Sequence, residues 1–282
     1  MLRGFWKLTW VEFKLFLREP MASFFTLIFP LMMLFLFGSI YGNKPNPFFG
    51  GLGFIDTAVP AYTAMIIGTS GLISLSISIA SYREQGILRR FKATTLRPQA
   101  ILGSQVVQVF SVTLLGMILL VIAGKLVFHL RFPGNPLSVF AGFVLGSLSF
   151  FALGFIIASV MPTARSSQVT AMVLFYPMLF LSGASIPREV LPPAVRSFSR
   201  FLPLTPVVDL LRGLWQGESW GKHMSEASFL AVILIAGVLI SAKTFKWELT
   251  EISPFRPAPS GGRWTIRPWA RAGRNCRRGR VR

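Results

Sequence analysis

The chain has 282 residues and a single cysteine, with 52% of residues hydrophobic, 14% charged and a mean hydropathy of +0.59. Soluble domains carry about 25% charged residues, so this composition excludes an ordinary water-soluble enzyme or binding module and points to an integral membrane protein. Cys276 alone excludes an intrachain disulfide or a cysteine metal cluster, and the net charge of +19 has to be read through its distribution before any nucleic-acid role is considered.

Residues 1–20 read as an amphipathic helix. On a 100° wheel Arg3, Lys7, Lys14 and Arg18 share a narrow sector, with Phe5, Phe13 and Phe16 opposite. This is the pattern of a helix lying in the membrane interface, acting either as an anchor or as a contact for a cytoplasmic partner. Glu19-Pro20 marks the turn into the first apolar stretch, Met21 to Tyr41, which contains Pro30. The second stretch, Thr57 to Tyr82, carries Ser70, Ser74, Ser78 and Ser81 at spacings that place them on one helical face. That face either lines a polar route for cargo or makes helix–helix hydrogen bonds.

The segment YREQGILRRFKATTLRP, Tyr82 to Pro98, is too polar for lipid and too long for a simple turn. It predicts a short cytoplasmic helix, with Glu84 near its start and Arg89, Arg90 and Lys92 further on matching the polarity of a helix dipole. Its side chains are either solvated or free to contact another protein. The third stretch runs from Gln99 to Gly124, and the fourth, Pro136 to Pro162, has Gly142 and Gly146 at the spacing that lets two helix backbones approach. The fifth, Ser166 to Pro187, contains Pro177. Pro30 and Pro177 each remove a backbone donor inside a span, giving a hinge or a kink that neighbouring helices satisfy.

The long segment between the last two stretches, residues 186–226, is strongly apolar for a loop. Pro192-Pro193 opens one helical piece through about Phe201, and Thr205-Pro206 supplies an N-cap and first-turn proline for a second, with Asp209 near its start. Two short helices partly sunk in the outer leaflet, a re-entrant hairpin, account for this pattern. The sixth stretch, Ala227 to Ala242, reaches spanning length if Lys243 snorkels to the interface. After Glu251 the chain turns to Pro, Gly and Arg, which predicts a basic disordered tail over 252–282 attracted to anionic lipid.

None of the six stretches contains Asp, Glu, Lys, Arg or His. Charges inside a membrane mark ion routes, so such a chain has no proton or sodium relay of its own, and driven transport needs energy from another subunit. With the N-terminus inside, 21 of the 29 Lys and Arg lie inside and 8 outside. That agrees with the positive-inside bias and places both termini in the cytoplasm of a multi-pass protein of the cytoplasmic (plasma) membrane. His129 and His223 sit in separate loops and read as ordinary loop residues, and no nucleic-acid partner is expected beside a membrane span.

The run REQGILRRFKATTLRPQAILG, Arg83 to Gly103, resembles the cytoplasmic coupling segment of type-2 ATP-binding-cassette (ABC) transporter permeases, especially those of drug and polyketide exporters. The run LSGASIPREVLPPAVRSFSRFLPLTPVVDLLRGLW, Leu181 to Trp215, is similar to that family's extracellular hairpin before its sixth span. With the six spans and the N-terminal helix, the likeness covers roughly 1–251. It implies an all-α membrane protein with six transmembrane helices, an N-terminal amphipathic interfacial helix (1–20), a permease domain (21–251) containing a cytoplasmic coupling helix (82–98) and the extracellular re-entrant hairpin (186–226), then the tail.

The resemblance also implies a non-catalytic subunit that pairs with a second permease copy, as homodimer or heterodimer, and with two nucleotide-binding ATPase subunits that hold the ATP and Mg. Arg83, Glu84, Gln85, Gly86, Arg89 and Arg90, with the N-terminal helix, would form the surface on which those subunits act. Where the family commonly has Gly-Thr-Leu, this chain has Gly86-Ile87-Leu88, so no threonine hydroxyl is present there. Independently, the chain has no GxxxxGK[ST] phosphate loop and no cofactor of its own is expected.

The expected function is therefore the permease of an ATP-driven exporter moving a hydrophobic or amphipathic cargo (drug, polyketide, lipid or glycolipid). Ser70, Ser74 and Ser78 would lie along the cargo path or in helix packing. The alternative is a passive channel or ion-coupled secondary carrier, recognisable by transport with the purified chain alone. An intramembrane enzyme would need a base beside its serines, and no stretch supplies one.

Overall fold

The structure, a computed structural model, describes residues 2–45, 51–86, 98–185 and 192–244. The chain divides into the units Met1–Leu249 and Thr250–Arg282, and the second, which contains all of the expected tail, lies outside the described residues. Among the described residues there are helices and no strand. They are α1 (Leu2–Arg18), α2 (Phe24–Tyr41), entered through a helical turn at Pro20–Ser23, α3 (Phe54–Glu84), α4 (Pro98–Phe128), α5 (Pro136–Val160), α6 (Ala164–Leu181), α7 (Pro193–Ser199), α8 (Leu204–Trp215) and α9 (Trp220–Thr244). Five of them, α2, α3, α4, α5 and α9, are long and apolar enough to cross a membrane. The fifth expected stretch folds as α6, whose first turn carries Arg165, Ser166, Ser167 and Gln168; that polar start keeps it shorter in apolar length than the other five.

The amphipathic α1 exposes Trp6, Trp10, Leu15 and Leu17 and buries Thr9 and Phe16. Lys14 Nζ lies 5.5 Å over the Trp10 ring, a cation–π contact that keeps the ammonium beside an apolar face. The corner at Glu19-Pro20 is fixed by the Ser23 hydroxyl, which donates to the Phe16 carbonyl at 2.7 Å. Phe24–Ile28 at the start of α2 winds as a π-helix, directly ahead of Pro30. Pro30 has no N–H to return to the preceding turn, and the wider winding accommodates that missing bond.

α3 is the central element. The apolar window of α3 is 78% buried and that of α5 61%, against 22% for α2, 33% for α4 and 17% for α9. The second expected stretch began at Thr57, but α3 starts at Phe54 and takes Asp56 into its first turn. Midway, Thr69–Leu75 is again π-helical.

At the level of this π segment α3 meets α5 backbone to backbone: a methyl group on Gly154 would lie 2.1 Å from the Gly71 carbonyl oxygen. Gly142 and Gly146 were expected to bring two backbones together. They instead form a notch for α8 side chains, with a methyl at 142 reaching Leu214 Cδ1 at 2.8 Å and one at 146 reaching Val207 Cγ1 at 3.1 Å. In lipid such van der Waals fit, with interhelical hydrogen bonds, is what holds helices together.

The two short helices expected before the last span are present as α7 and α8, but they differ in environment. α8 buries Leu204, Val207, Val208, Leu210, Leu211, Leu214 and Trp215 within the main core, whereas Phe198 of α7 and Phe201 just after it are exposed. The N-cap of α8 is Pro203, not Thr205. Thr205 lies inside the helix and its hydroxyl donates to the Ser199 carbonyl, tying α8 back to α7. Asp209 accordingly falls beyond the first turn.

Candidate functional site at the end of α3

Consecutive helical residues are about 100° apart, so the last three of α3 fan out over about 200° of its circumference. Tyr82, Arg83 and Glu84 use that fan to reach four other helices. The Tyr82 hydroxyl donates to Glu12 Oε1 of α1 and accepts from Gln105 Nε2 of α4 at 3.1 Å. Arg83 is 7% exposed, and its Nη1 donates to the carbonyls of Ala158 and Ser159 in the last turn of α5, the latter at 3.2 Å. Glu84 Oε2 accepts the backbone N–H of Ala164, the first residue of α6, at 2.8 Å.

The charges match what they touch. The last carbonyls of a helix carry partial negative charge and have no intrahelical donor, and the first N–H groups carry partial positive charge and have no intrahelical acceptor. Arg83 sits on the carbonyl end of α5 and Glu84 on the amide end of α6, so two adjacent residues grip the Met161–Thr163 turn from both sides. The turn is also closed from within: Thr163 Oγ1 accepts from Ser166 N at 3.1 Å and Ser166 Oγ accepts from Thr163 N at 3.1 Å, a capping box.

Past Glu84 the helix stops. Gly86 has φ +65°, a left-handed conformation that glycine adopts without a Cβ clash, and its N–H donates to the Arg83 carbonyl at 3.1 Å. Gln85 is exposed, with Nε2 donating to Ser81 Oγ at 2.9 Å. Of the six residues expected to face an ATPase, Arg83 is therefore turned into its own chain, Glu84 is exposed but engaged with α6, and Gln85 and Gly86 mark the exit of the helix. Arg89 and Arg90, and residues 87–97 of the expected coupling helix, lie outside the described residues. Ser70 is 1% exposed and its hydroxyl makes no hydrogen bond within the described residues, while Ser74 and Ser78 are half-buried.

Sequence reasoning missed Tyr82, Glu12 and Gln105 as members of this cluster. The available signal was the uncharged polar pair Gln105 and Gln108 inside an apolar stretch, since a buried amide requires partners. A second polar cluster, also missed, closes the opposite end of α3. Asp56, 4% exposed, accepts from Asn43 Nδ2 at 3.0 Å and from the Arg131 N–H at 2.9 Å. Among the described residues no group of three or more His, Cys, Asp or Glu is placed to hold a metal.

Comparison with known proteins decides the family. The family model of the ABC-2 type transporter matches residues 3–215. The chain belongs to the type-2 ABC permeases. This permease is 25% identical over 264 residues to the putative transport permease ycf38 of Cyanophora paradoxa, covering 83% of this chain and 85% of that one. It is 27% identical over 158 residues to the probable multidrug ABC transporter permease YbhR of Escherichia coli K12, covering 56% and 43%. It is 34% identical over 105 residues to nodulation protein J of Rhizobium leguminosarum bv. trifolii, covering 37% and 40%. The matches thus span most of ycf38 and less than half of the other two relatives. Family membership makes the permease a multi-pass membrane subunit of a transporter and implies association with an ABC ATPase subunit.

Proposed function

We propose that the permease is one half of an ATP-driven exporter in the cytoplasmic membrane, carrying a hydrophobic or amphipathic cargo outward between itself and a second permease, identical or related. Two ATPase subunits bind ATP and Mg and supply the energy. α6 is the fifth of six crossings, α7 and α8 form the hairpin on the outer side, and both termini face the cytoplasm. The ATPase acts on the segment that begins at Arg83: Gln85, Gly86, Arg89 and Arg90 face it, and Arg83 and Glu84 join the segment to the helices behind.

The observation that carries this reading is the way α3, the most buried of the five candidate spans, ends in side chains fastened to α1, α4, α5 and α6 at the start of the coupling-like segment. The likeness to the probable multidrug permease YbhR of E. coli supports a drug-like cargo. The test is reconstitution in proteoliposomes with the cognate ATPase. ATP-dependent movement of a lipophilic fluorescent cargo is the expected result; movement by the permease alone under an ion gradient would overturn it in favour of a secondary carrier.

A further inference from the structure

We infer that Arg83 and Glu84 are positioning residues that make the α5–α6 hairpin move with the coupling segment, rather than docking residues read by the ATPase. The inference rests on the exporter reading above and adds to it a route for the force.

Two neighbouring residues of opposite charge hold the two helix ends that flank one turn, each on the helix end whose partial charge it complements. The arrangement is sign-specific: exchanging the two residues would put a carboxylate on orphan carbonyls and a guanidinium on an orphan amide. Both contacts are charge-assisted, and they satisfy three backbone groups that helix ends leave open.

Further along the same pair of helices, the Gly71 carbonyl abuts Gly154, and a methyl at 71 would meet Phe150 Cβ at 2.8 Å. α3 and α5 are therefore joined at two points along their length, by backbone contact at mid-helix and by Arg83 at the end, while Glu84 adds α6. Displacement of the segment beyond Gly86 cannot tilt α3 without carrying the Met161–Thr163 turn. Packed helices joined in this way shift as units between discrete arrangements instead of deforming continuously.

The experiment uses the full chain with its ATPase in proteoliposomes and compares Glu84→Gln, Glu84→Ala, Arg83→Lys, Arg83→Met and the double variant Glu84→Cys/Ala164→Cys. Three quantities are read: co-purification of the ATPase, ATP hydrolysis, and cargo moved per ATP hydrolysed. A glutamine oxygen still accepts the Ala164 N–H but without the charge, so Glu84→Gln keeps cargo moved per ATP between wild type and Glu84→Ala. Glu84→Ala, which loses one charge-assisted hydrogen bond, lowers it about tenfold, and Arg83→Met, which loses two, lowers it at least as much, with the ATPase still bound. Arg83→Lys keeps the positive charge but not the reach and fork of the guanidinium, and falls between.

Glu84→Cys/Ala164→Cys lacks the acceptor and starts as low as Glu84→Ala; cross-linking positions 84 and 164 with a short bifunctional thiol reagent restores the tie and raises cargo moved per ATP, because the two positions travel together. Glu84→Gln as poor as Glu84→Ala, loss of the ATPase from Glu84→Ala, or arrest of transport by the cross-link would each overturn the inference while leaving the exporter reading standing. Absence of ATP-dependent transport by the wild-type assembly would overturn both.

Discussion

Gly154 of α5 lies against Gly71 of α3 so closely that a side chain at 154 has no room: its methyl would stand 2.1 Å from the Gly71 carbonyl oxygen. The obstacle is backbone, which no rotamer change removes. Gly154→Ala is expected to force α3 and α5 apart and to destabilise the permease by at least about 1–3 kcal/mol, the usual cost of overfilling a packed core. Thermal unfolding of the detergent-solubilised chain measures it. Gly221→Ala, where the nearest atom to the added methyl is 3.9 Å away, serves as the control with little change.

Asp56 is expected to matter through its acceptor oxygen. Its carboxylate takes the Asn43 amide and the Arg131 N–H in a nearly closed environment. Asp56→Ala leaves both donors short of a partner and should cost about 1–3 kcal/mol per group left unsatisfied. Asp56→Asn keeps an oxygen in place and should recover a large part of that loss in the same thermal assay.

A third expectation concerns acid. Glu218 lies between α8 and α9, where hydrogen bonds from His223 at 2.7 Å and Lys222 at 3.3 Å hold its carboxyl below the usual glutamate range, the His223 bond contributing most. A depressed native pKa means that the unfolded chain takes up the proton first as pH falls. The stabilisation is therefore fully present above the ordinary glutamate pKa and is lost as pH drops from there through the depressed native value. The group is partly solvent-exposed, so the effect is small. Melting temperature measured against pH should flatten in this acid window for Glu218→Gln relative to wild type; an unchanged slope would remove Glu218 as its source.

Ser149 links α5 to α9 through one hydrogen bond. Its hydroxyl donates to its own helix at Leu145 (2.7 Å) and to the Leu230 carbonyl of α9 (2.9 Å). Interhelical hydrogen bonds in membrane proteins average about 0.6 kcal/mol, so Ser149→Ala should lower stability by about that much and leave assembly unaffected. A large loss would show that the serine holds α9 in place in a way its one cross-helix bond does not account for.

The helices were legible in the sequence where they are encoded locally: α1 by its basic and aromatic faces, α5 by the apolar run that opens at Pro136, a proline that fits the first turn, to which the structure adds an Asn135 side chain accepting the Leu137 N–H at 2.9 Å. Positions governed by distant partners were not legible. Asp56 looked like a residue outside the span because its partners are 13 and 75 positions away. Thr205 looked like an N-cap, yet the Ser199 carbonyl claims its hydroxyl and the helix starts two residues earlier than that cap implies. Arg83 was expected on the surface facing an ATPase, and nothing local shows that the end of α5, 75 positions on, also lies within its reach. The glycine pair at 142 and 146 announced a close approach without naming its neighbour, and the neighbour proved to be the side chains of α8.

The π-helical stretch Thr69–Leu75 lies upstream of the Tyr82–Glu84 fan on the same rod. Were those residues to rewind to ordinary α geometry with none removed, everything downstream would turn by roughly 100°, the angle one residue occupies. Arg83 would then swing off the α5 carbonyls, and another side chain would come round to meet them. The angular phase of the rod's far end is thus set at its middle, and a change of winding there would disengage the grip without breaking a covalent bond or moving either end along the axis by more than about 1.5 Å.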